Sequence, residues 1–242
     1  MRGAMQPSPS INRTLLHIVL LPGMDGTGEL FSKFVMFKPA DFEVTVVALP
    51  QEPLSYSDVE RLIEPRIPGD VPFVLLGESF SGPLAIRLAA KRPPNLRGLI
   101  LCNSFATPPR AACWKLLPWT TLFRIPPPSM ILRRYLAGGN APQSLIEEIR
   151  RTLSSVPPRI LASRIRILLT SNSTDSLRAC DVPILYLRGT ADRLVPDSAF
   201  RAITAIVPSA KRREIPGPHM LIQANPVEVW QAIAGFVTAL RT

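Results

Sequence analysis

The chain has 242 residues, a length suited to one α/β domain, and its 46% hydrophobic and 19% charged residues exclude an intrinsically disordered protein. No apolar run reaches the roughly 18 residues of a membrane span. Residues 1–13 are polar and lack the apolar core of a signal peptide. We therefore predict a soluble, cytoplasmic protein without an integral membrane segment.

The positive charge is unevenly distributed. The net charge is +10, and residues 105–180 contain eleven basic and three acidic residues, which leaves them eight of the ten excess charges. An asymmetry of this kind raises the local concentration of anionic partners.

Short apolar runs predict the strands of a buried sheet. The first run, LLHIVLL, is almost continuously apolar and stops at Pro22-Gly23, as expected of a strand covered on both faces. The predicted strands are residues 15–21, 43–49, 73–76, 96–102, 183–188 and 211–215.

Helical patterns fill the intervals between these runs. They cover residues 57–66, 81–92, 197–207 and 227–240. Ser57 with Glu60 resembles a capping box, and Asp197 is a predicted N-cap. The alternation predicts an α/β fold: a mostly parallel sheet of about six strands with helices on both faces.

Residues 105–180 interrupt this alternation. The segment has several proline pairs, a possible helix at 143–153, and too many tryptophan, leucine and phenylalanine residues for a disordered linker. Long insertions between strands are uncommon unless they serve a function. We predict a helical cap (lid) over residues 105–180 and a core formed by residues 1–104 and 181–242.

The segment FVLLGESFSGPLA, residues 73–85, contains the clearest motif. A buried strand runs into Gly77, Ser79 follows two residues later, and a helix begins at once. This resembles the nucleophile elbow G-x-S-x-G of the α/β-hydrolases. Ser81 replaces the second glycine but is also small, and Gly82 gives further room. The resemblance implies that Ser79 is the nucleophile.

A serine nucleophile needs a base and an acid. The resemblance implies the chain order Ser, Asp, His, with the histidine after the last strand. His219 fits that place, and Asp192 lies in GTADRLVP, which resembles the acid turn of the family. His17 lies within the first strand and is predicted to be structural. The alternative acid position, Cys102-Asn103-Ser104, holds no carboxylate.

The loop LPGMDGTG, residues 21–28, resembles the oxyanion loop of the family, with proline in place of histidine. The resemblance implies that the N–H groups of Met24 and Phe80 form the oxyanion hole. A phosphate-binding loop is the rival interpretation, but G-M-D-G-T-G matches neither nucleotide motif, and Asp25 would repel phosphate.

These features predict a carboxylic ester or thioester hydrolase that acts through an acyl-enzyme on Ser79. The resemblance implies no cofactor, and the three cysteines match no zinc spacing, so no metal site is expected. Transfer of the acyl group to an alcohol and action as a membrane-surface lipase are the alternatives. No nucleic-acid-binding module is recognisable beyond charge.

Arginines of the predicted cap suggest a partner. Arg133, Arg134, Arg150 and Arg151 are candidates for binding an anionic group, while apolar cap residues are candidates for an acyl-chain tunnel. In this combination the chain resembles the pimeloyl-carrier-protein methyl esterases, which act on an acyl chain held by an acidic carrier protein. A solvated basic face with no partner is the alternative.

Overall fold

The structure is a computed structural model that describes residues 16–108, 114 and 116–240. Residues 1–15 of the predicted core and residues 109–113 and 115 of the predicted cap therefore lie outside the described residues. Among the described residues, no helix is long and apolar enough to cross a membrane.

Six parallel strands form one sheet in the order β2-β1-β3-β4-β5-β6. The strands are β1 Leu16–Leu21, β2 Phe42–Val46, β3 Phe73–Glu78, β4 Leu96–Cys102, β5 Ile184–Gly189 and β6 Lys211–Ile215. The predicted parallel sheet of six strands is confirmed. Strand β2 ends earlier than predicted because Leu49 leaves the sheet and donates its N–H to the carbonyl of Gly26 at 2.7 Å.

Helices cover both faces of the sheet. They are α1 Ser32–Met36, α2 Tyr56–Ile63, α3 Gly82–Ala90, α4 Trp119–Leu122, α5 Ser129–Leu132, α6 Gln143–Ser155, α7 Pro158–Thr170, α8 Thr174–Ala179, α9 Ser198–Thr204, α10 Leu221–Ala224 and α11 Pro226–Leu240. Alternate residues of β1 explain the two apolar layers: Val19 packs with α2 and α3, whereas Ile18 packs with α1 and α11.

One of the two predicted helix caps was wrong, and the other has the predicted position without a capping hydrogen bond. Helix α2 is capped by Ser55, not Ser57, and the Ser55 Oγ accepts the N–H of Asp58 at 3.2 Å. Asp197 occupies the N-cap position of α9 but makes no capping hydrogen bond. Its carboxylate pairs instead with arginines, including Arg212 at 2.7 Å.

The segment between β4 and β5 carries helices α4 to α8. Helix α6 extends the helix predicted at 143–153 by two residues. Helix α8 packs against α3, and its Leu177 is fully buried in the apolar layer under the sheet. The end of the segment is therefore part of the layer that covers the sheet.

Candidate active site

Ser79 occupies a sharp turn between β3 and α3. Its backbone φ is 47°, in the left-handed region that non-glycine residues rarely adopt. The turn is possible because Gly77 has no side chain: a Cβ there would lie 2.7 Å from the carbonyl oxygen of Ser81. Backbone strain of this kind at a half-buried serine is typical of functional sites.

Ser81, the residue that departs from the family motif, has a structural role. Its side chain is fully buried, and its hydroxyl donates to the carbonyl oxygen of Pro22. The substitution therefore links the turn around Ser79 to the loop that follows β1, a contact that a glycine would not make.

Three residues from distant parts of the chain form a hydrogen-bonded series. The Oγ of Ser79 lies 2.8 Å from Nε2 of His219, and Nδ1 of His219 lies 2.9 Å from Oδ2 of Asp192. An ionised carboxylate only accepts, so Nδ1 donates to Asp192 and Nε2 is left to accept the serine proton. The structure thus brings together Ser79, Asp192 and His219 in a geometry that can activate a hydroxyl.

Backbone donors hold the Asp192 carboxylate in place. Its Oδ1 accepts the N–H of Leu194 at 2.8 Å and that of Val195 at 3.1 Å, which leaves Oδ2 for His219. The side chain is 1% exposed. These hydrogen bonds fix the orientation of the carboxylate, so that Oδ2 faces His219.

Asn103 is a residue of the site that the sequence analysis did not assign. It follows β4, has a φ of 44° and is fully buried. Its side-chain amide makes two hydrogen bonds to the backbone near the site. Nδ2 donates to the carbonyl oxygen of His219, and Oδ1 accepts the N–H of Gly189, the last residue of β5. The only sequence signal was a polar residue directly after a buried strand.

The two predicted oxyanion residues lie in the wall of the same cavity as Ser79. Phe80 is fully buried, and its N–H belongs to the peptide whose carbonyl, on Ser79, accepts the hydroxyl of Ser104 at 2.6 Å. A separate hydrogen bond of 2.8 Å runs from the hydroxyl of Tyr56 to the carbonyl of Phe80. Met24 lies in a turn closed by the hydrogen bond from Gly26 N–H to the Gly23 carbonyl at 3.1 Å.

A cavity of about 190 Å³ adjoins Ser79 and His219. Its wall is mostly apolar, and the 105–180 segment supplies much of it. The apolar lining side chains are Met24, Leu30, Phe80, Phe105, Trp114, Leu136, Ile149, Leu153, Ile165, Leu168, Leu169, Leu194, Val195 and Met220. Such a cavity suits an aliphatic or aromatic group.

Glu78 is the unexpected member of this wall. The side chain is buried, and burial raises its pKa to about 7, partly offset by a hydrogen bond from Gln223. Gln223 Nε2 lies 3.4 Å from the Glu78 carboxylate. The carboxyl immediately before Ser79 is therefore poised to titrate near neutral pH.

The second histidine lies elsewhere. His17 Nε2 is 2.6 Å from the hydroxyl of Thr45 on the neighbouring strand, and burial lowers the pKa of His17. Its position between β1 and β2 agrees with the predicted structural role. Within residues 16–108, 114 and 116–240, no group of three or more His, Cys, Asp or Glu side chains is arranged to bind a metal ion.

The four predicted partner-binding arginines differ in their surroundings. Arg133 donates to the carbonyl oxygens of Gly139 and Ala141 and to Gln143, so it stabilises its own loop. Arg150 donates to the Ser129 hydroxyl at 2.6 Å. The remaining two, Arg134 and Arg151, are exposed, and Arg134 stacks on the Tyr135 ring.

Comparison with known proteins agrees with this architecture. Residues 16–232 match the model described as the alpha/beta hydrolase family. A curated relative, the pimeloyl-[acyl-carrier protein] methyl ester esterase of Xanthomonas oryzae pv. oryzae, is 26% identical over 92% of this chain and 95% of its own length.

Solved structures share the fold. A thermophilic esterase from Thermogutta terrifontis superposes with a TM-score of 0.79 and 24% identity, covering 94% of this chain and 91% of that protein. The enol-lactonase of Burkholderia xenovorans gives a TM-score of 0.73 and 18% identity, covering 92% and 91%. With the family match extending over almost all the described residues, this chain belongs to the alpha/beta hydrolase family.

Proposed function

We propose that this protein hydrolyses carboxylic esters through an acyl-enzyme on Ser79. One observation carries the proposal: the hydrogen-bonded series Ser79–His219–Asp192 lies in the wall of an apolar cavity. A hydroxyl, a base and an orienting carboxylate in this order are the groups that acyl transfer requires.

The geometry supports a two-step reaction. Ser79 Oγ attacks the ester carbonyl carbon while its proton passes to His219 Nε2, and Asp192 stabilises the imidazolium. As the tetrahedral intermediate breaks down, the bond to the alcohol oxygen cleaves and His219 returns the proton to that oxygen. Water then attacks the acyl carbon, its proton passes through His219 to Ser79, and the carboxylic acid leaves.

We assign stabilisation of the oxyanion to the N–H groups of Met24 and Phe80. Both residues line the cavity with Ser79. The peptides that carry the two N–H groups are held through their carbonyls: that of Gly23 accepts the N–H of Gly26, and that of Ser79 accepts the hydroxyl of Ser104. Donors fixed before the reaction need no reorganisation as charge develops, which is why they lower the barrier.

The apolar wall favours an ester with a hydrocarbon acyl chain. Since helices α6 and α7 supply several of the wall residues, we propose that residues 105–180 up to the start of α8 act as the cap. Helix α8 packs against α3, so we assign it to the core together with residues 1–104 and 181–242. We further propose a cytoplasmic location and no cofactor.

A methyl ester on an acyl chain carried by an acidic protein is the second candidate. Two observations favour it: the relatives at 26% identity are pimeloyl-[acyl-carrier protein] methyl ester esterases, and residues 105–180 are strongly basic. On this proposal the exposed arginines Arg134 and Arg151 contact the carrier, because charge complementarity of that kind speeds association.

Hydrolysis of p-nitrophenyl esters of graded acyl length by wild type and Ser79→Ala tests the first proposal. We expect the variant to lose at least about 10⁴-fold in kcat, because no other group replaces the nucleophile. Ser209→Ala, an exposed serine, is the matched control. Full activity in Ser79→Ala would overturn the proposal, as would failure of wild type both to hydrolyse any ester and to react with a fluorophosphonate.

A further inference from the structure

Arg164, on helix α7, is a buried cation outside the series of Ser79, His219 and Asp192. The residue is 4% exposed, and burial lowers its pKa to about 10, partly offset by the charge of Asp25. Burying a guanidinium is costly unless its N–H groups find acceptors, so such a residue calls for a structural or catalytic reason.

The acceptors are backbone carbonyls of the loop after β1. Arg164 Nη1 donates to the carbonyl oxygens of Met24 at 2.9 Å and Asp25 at 2.6 Å. Its Nη2 donates to the carbonyl oxygen of Pro50 at 2.9 Å. One side chain from the 105–180 segment thus holds two consecutive peptides of the predicted oxyanion loop.

The loop is shaped to receive this guanidinium. Gly26 has a φ of 67°, and a Cβ at that position would lie 2.5 Å from Nη2 of Arg164. Glycine is therefore required both by the backbone conformation and by the close approach of the arginine. Gly26 also fixes the start of the loop, because its N–H donates to the carbonyl of the Gly23–Met24 peptide.

We propose that Arg164 is a positioning residue that fixes the Met24 peptide so that its N–H stays directed at the ester oxygen. The inference rests on the proposed function. The Met24 N–H belongs to the Gly23–Met24 peptide, whose carbonyl accepts the N–H of Gly26. That Gly26 N–H belongs in turn to the Asp25–Gly26 peptide, whose carbonyl accepts a hydrogen bond from Arg164. Because the C=O and N–H groups of a planar trans peptide point in opposite directions, Arg164 restrains the Met24 N–H through this one intervening hydrogen bond.

Helix α7 couples this restraint to substrate binding. Ile165, the next residue, and Leu168 and Leu169 on the following turn line the apolar cavity. The helix that walls the acyl chain therefore also holds the oxyanion loop. We expect replacement of Arg164 to affect turnover rather than binding, because the apolar wall stays in place.

The test compares Arg164→Lys with Arg166→Lys, an exposed arginine on the same helix. Lysine keeps the positive charge, but its single ammonium group cannot bind all three carbonyl oxygens as the planar guanidinium group of arginine does. We expect Arg164→Lys to lower kcat on p-nitrophenyl esters by about 10²-fold with KM within threefold, the loss seen when one oxyanion donor is removed. The control is expected to match wild type.

Amide hydrogen exchange of Met24, Asp25 and Gly26 supplies a readout that does not depend on turnover. We expect at least tenfold faster exchange in Arg164→Lys, measured on protein shown to be folded by its thermal transition. If that variant does not fold, Arg164→Gln, whose amide can donate to a carbonyl but carries no charge, replaces it. Unchanged kcat or unchanged exchange, with wild type active through Ser79, overturns this inference alone; an inactive wild type overturns the proposed function and this role with it.

Discussion

Asn103 donates a hydrogen bond of 2.7 Å from its side-chain Nδ2 to the carbonyl oxygen of His219, 116 residues further along the chain. The same nitrogen donates to Pro218 at 3.0 Å, and Oδ1 accepts the N–H of Gly189 at 2.8 Å. One buried amide therefore joins the end of β4 to the end of β5 and to the histidine loop. Asn103 occupies the alternative acid position of the family, and its amide anchors the backbone of His219 instead.

Replacing Asn103 with alanine tests this relationship. The change leaves two carbonyls and one N–H without their partner in a buried site, and we expect it to lower the free energy of unfolding by about 2–4 kcal/mol. It should also lower kcat at least tenfold, since His219 loses its anchor. Urea unfolding and ester hydrolysis measure the two effects.

Asn95→Ala is the control for Asn103→Ala. Asn95 is another asparagine near a strand, but it donates to Gly69 in an exposed setting, where we expect a change of about 0.5 kcal/mol or less. A folded Asn103→Ala protein with wild-type kcat would remove Asn103 from the site.

Asp192→Asn tests the orienting carboxylate. The amide keeps the shape but no longer stabilises the imidazolium and favours the wrong tautomer of His219, so we expect kcat to fall by about 10⁴-fold with little change in stability. Asp197→Asn is the control because Asp197 lies five residues away and pairs with arginines instead. A loss below tenfold in Asp192→Asn would mean that another group serves this role.

The raised pKa of Glu78 predicts that the stability of the protein depends on pH. Its pKa is raised from 4.5 to about 7 by burial, so the folded protein holds this proton more tightly than the unfolded chain. The folded state is therefore favoured while Glu78 is protonated, and stability falls as the pH rises from about 4.5 to about 7. The loss is on the order of 3 kcal/mol and levels off above that range.

Glu78→Gln removes this titration while preserving size. We expect the difference in unfolding free energy between pH 5 and pH 8 to shrink relative to wild type, measured by urea unfolding at both pH values. Glu64→Gln, at an exposed ion pair with Lys91, should leave the difference unchanged. A Glu78→Gln profile parallel to that of wild type would show that Glu78 does not titrate in this range.

Substitution of the exposed arginines Arg134 and Arg151 tests whether the protein binds a carrier protein. We expect Arg134→Ala with Arg151→Ala to lower kcat/KM on a carrier-linked methyl ester at least tenfold at low salt, without changing hydrolysis of a p-nitrophenyl ester. Arg61→Ala with Arg213→Ala, exposed arginines outside the 105–180 segment, is the control. Equal loss on both substrates would contradict carrier binding, and flotation with anionic vesicles would favour the lipase alternative.

The strands and helices were largely predictable because apolar runs and helical periodicity are both local features of the sequence. The apolar runs at residues 18–21 and 98–102 lie in β1 and β4, and every residue of these two runs is buried, as expected where helices cover both faces of a sheet. The cap of α2 was misplaced because Ser55 and Ser57 each precede an acidic residue by three positions, and only the packed helix decides between them.

The sequence alone predicted the fold class and pointed to Ser79, Asp192 and His219 as the proposed catalytic residues, because each belongs to a local pattern at the carboxyl end of a predicted strand. Only the tertiary structure decided what supports them. Asn103, Ser81 and Arg164 act through backbone groups 59 to 140 residues away, and a hydrogen bond to a distant carbonyl leaves no periodicity or motif in the sequence.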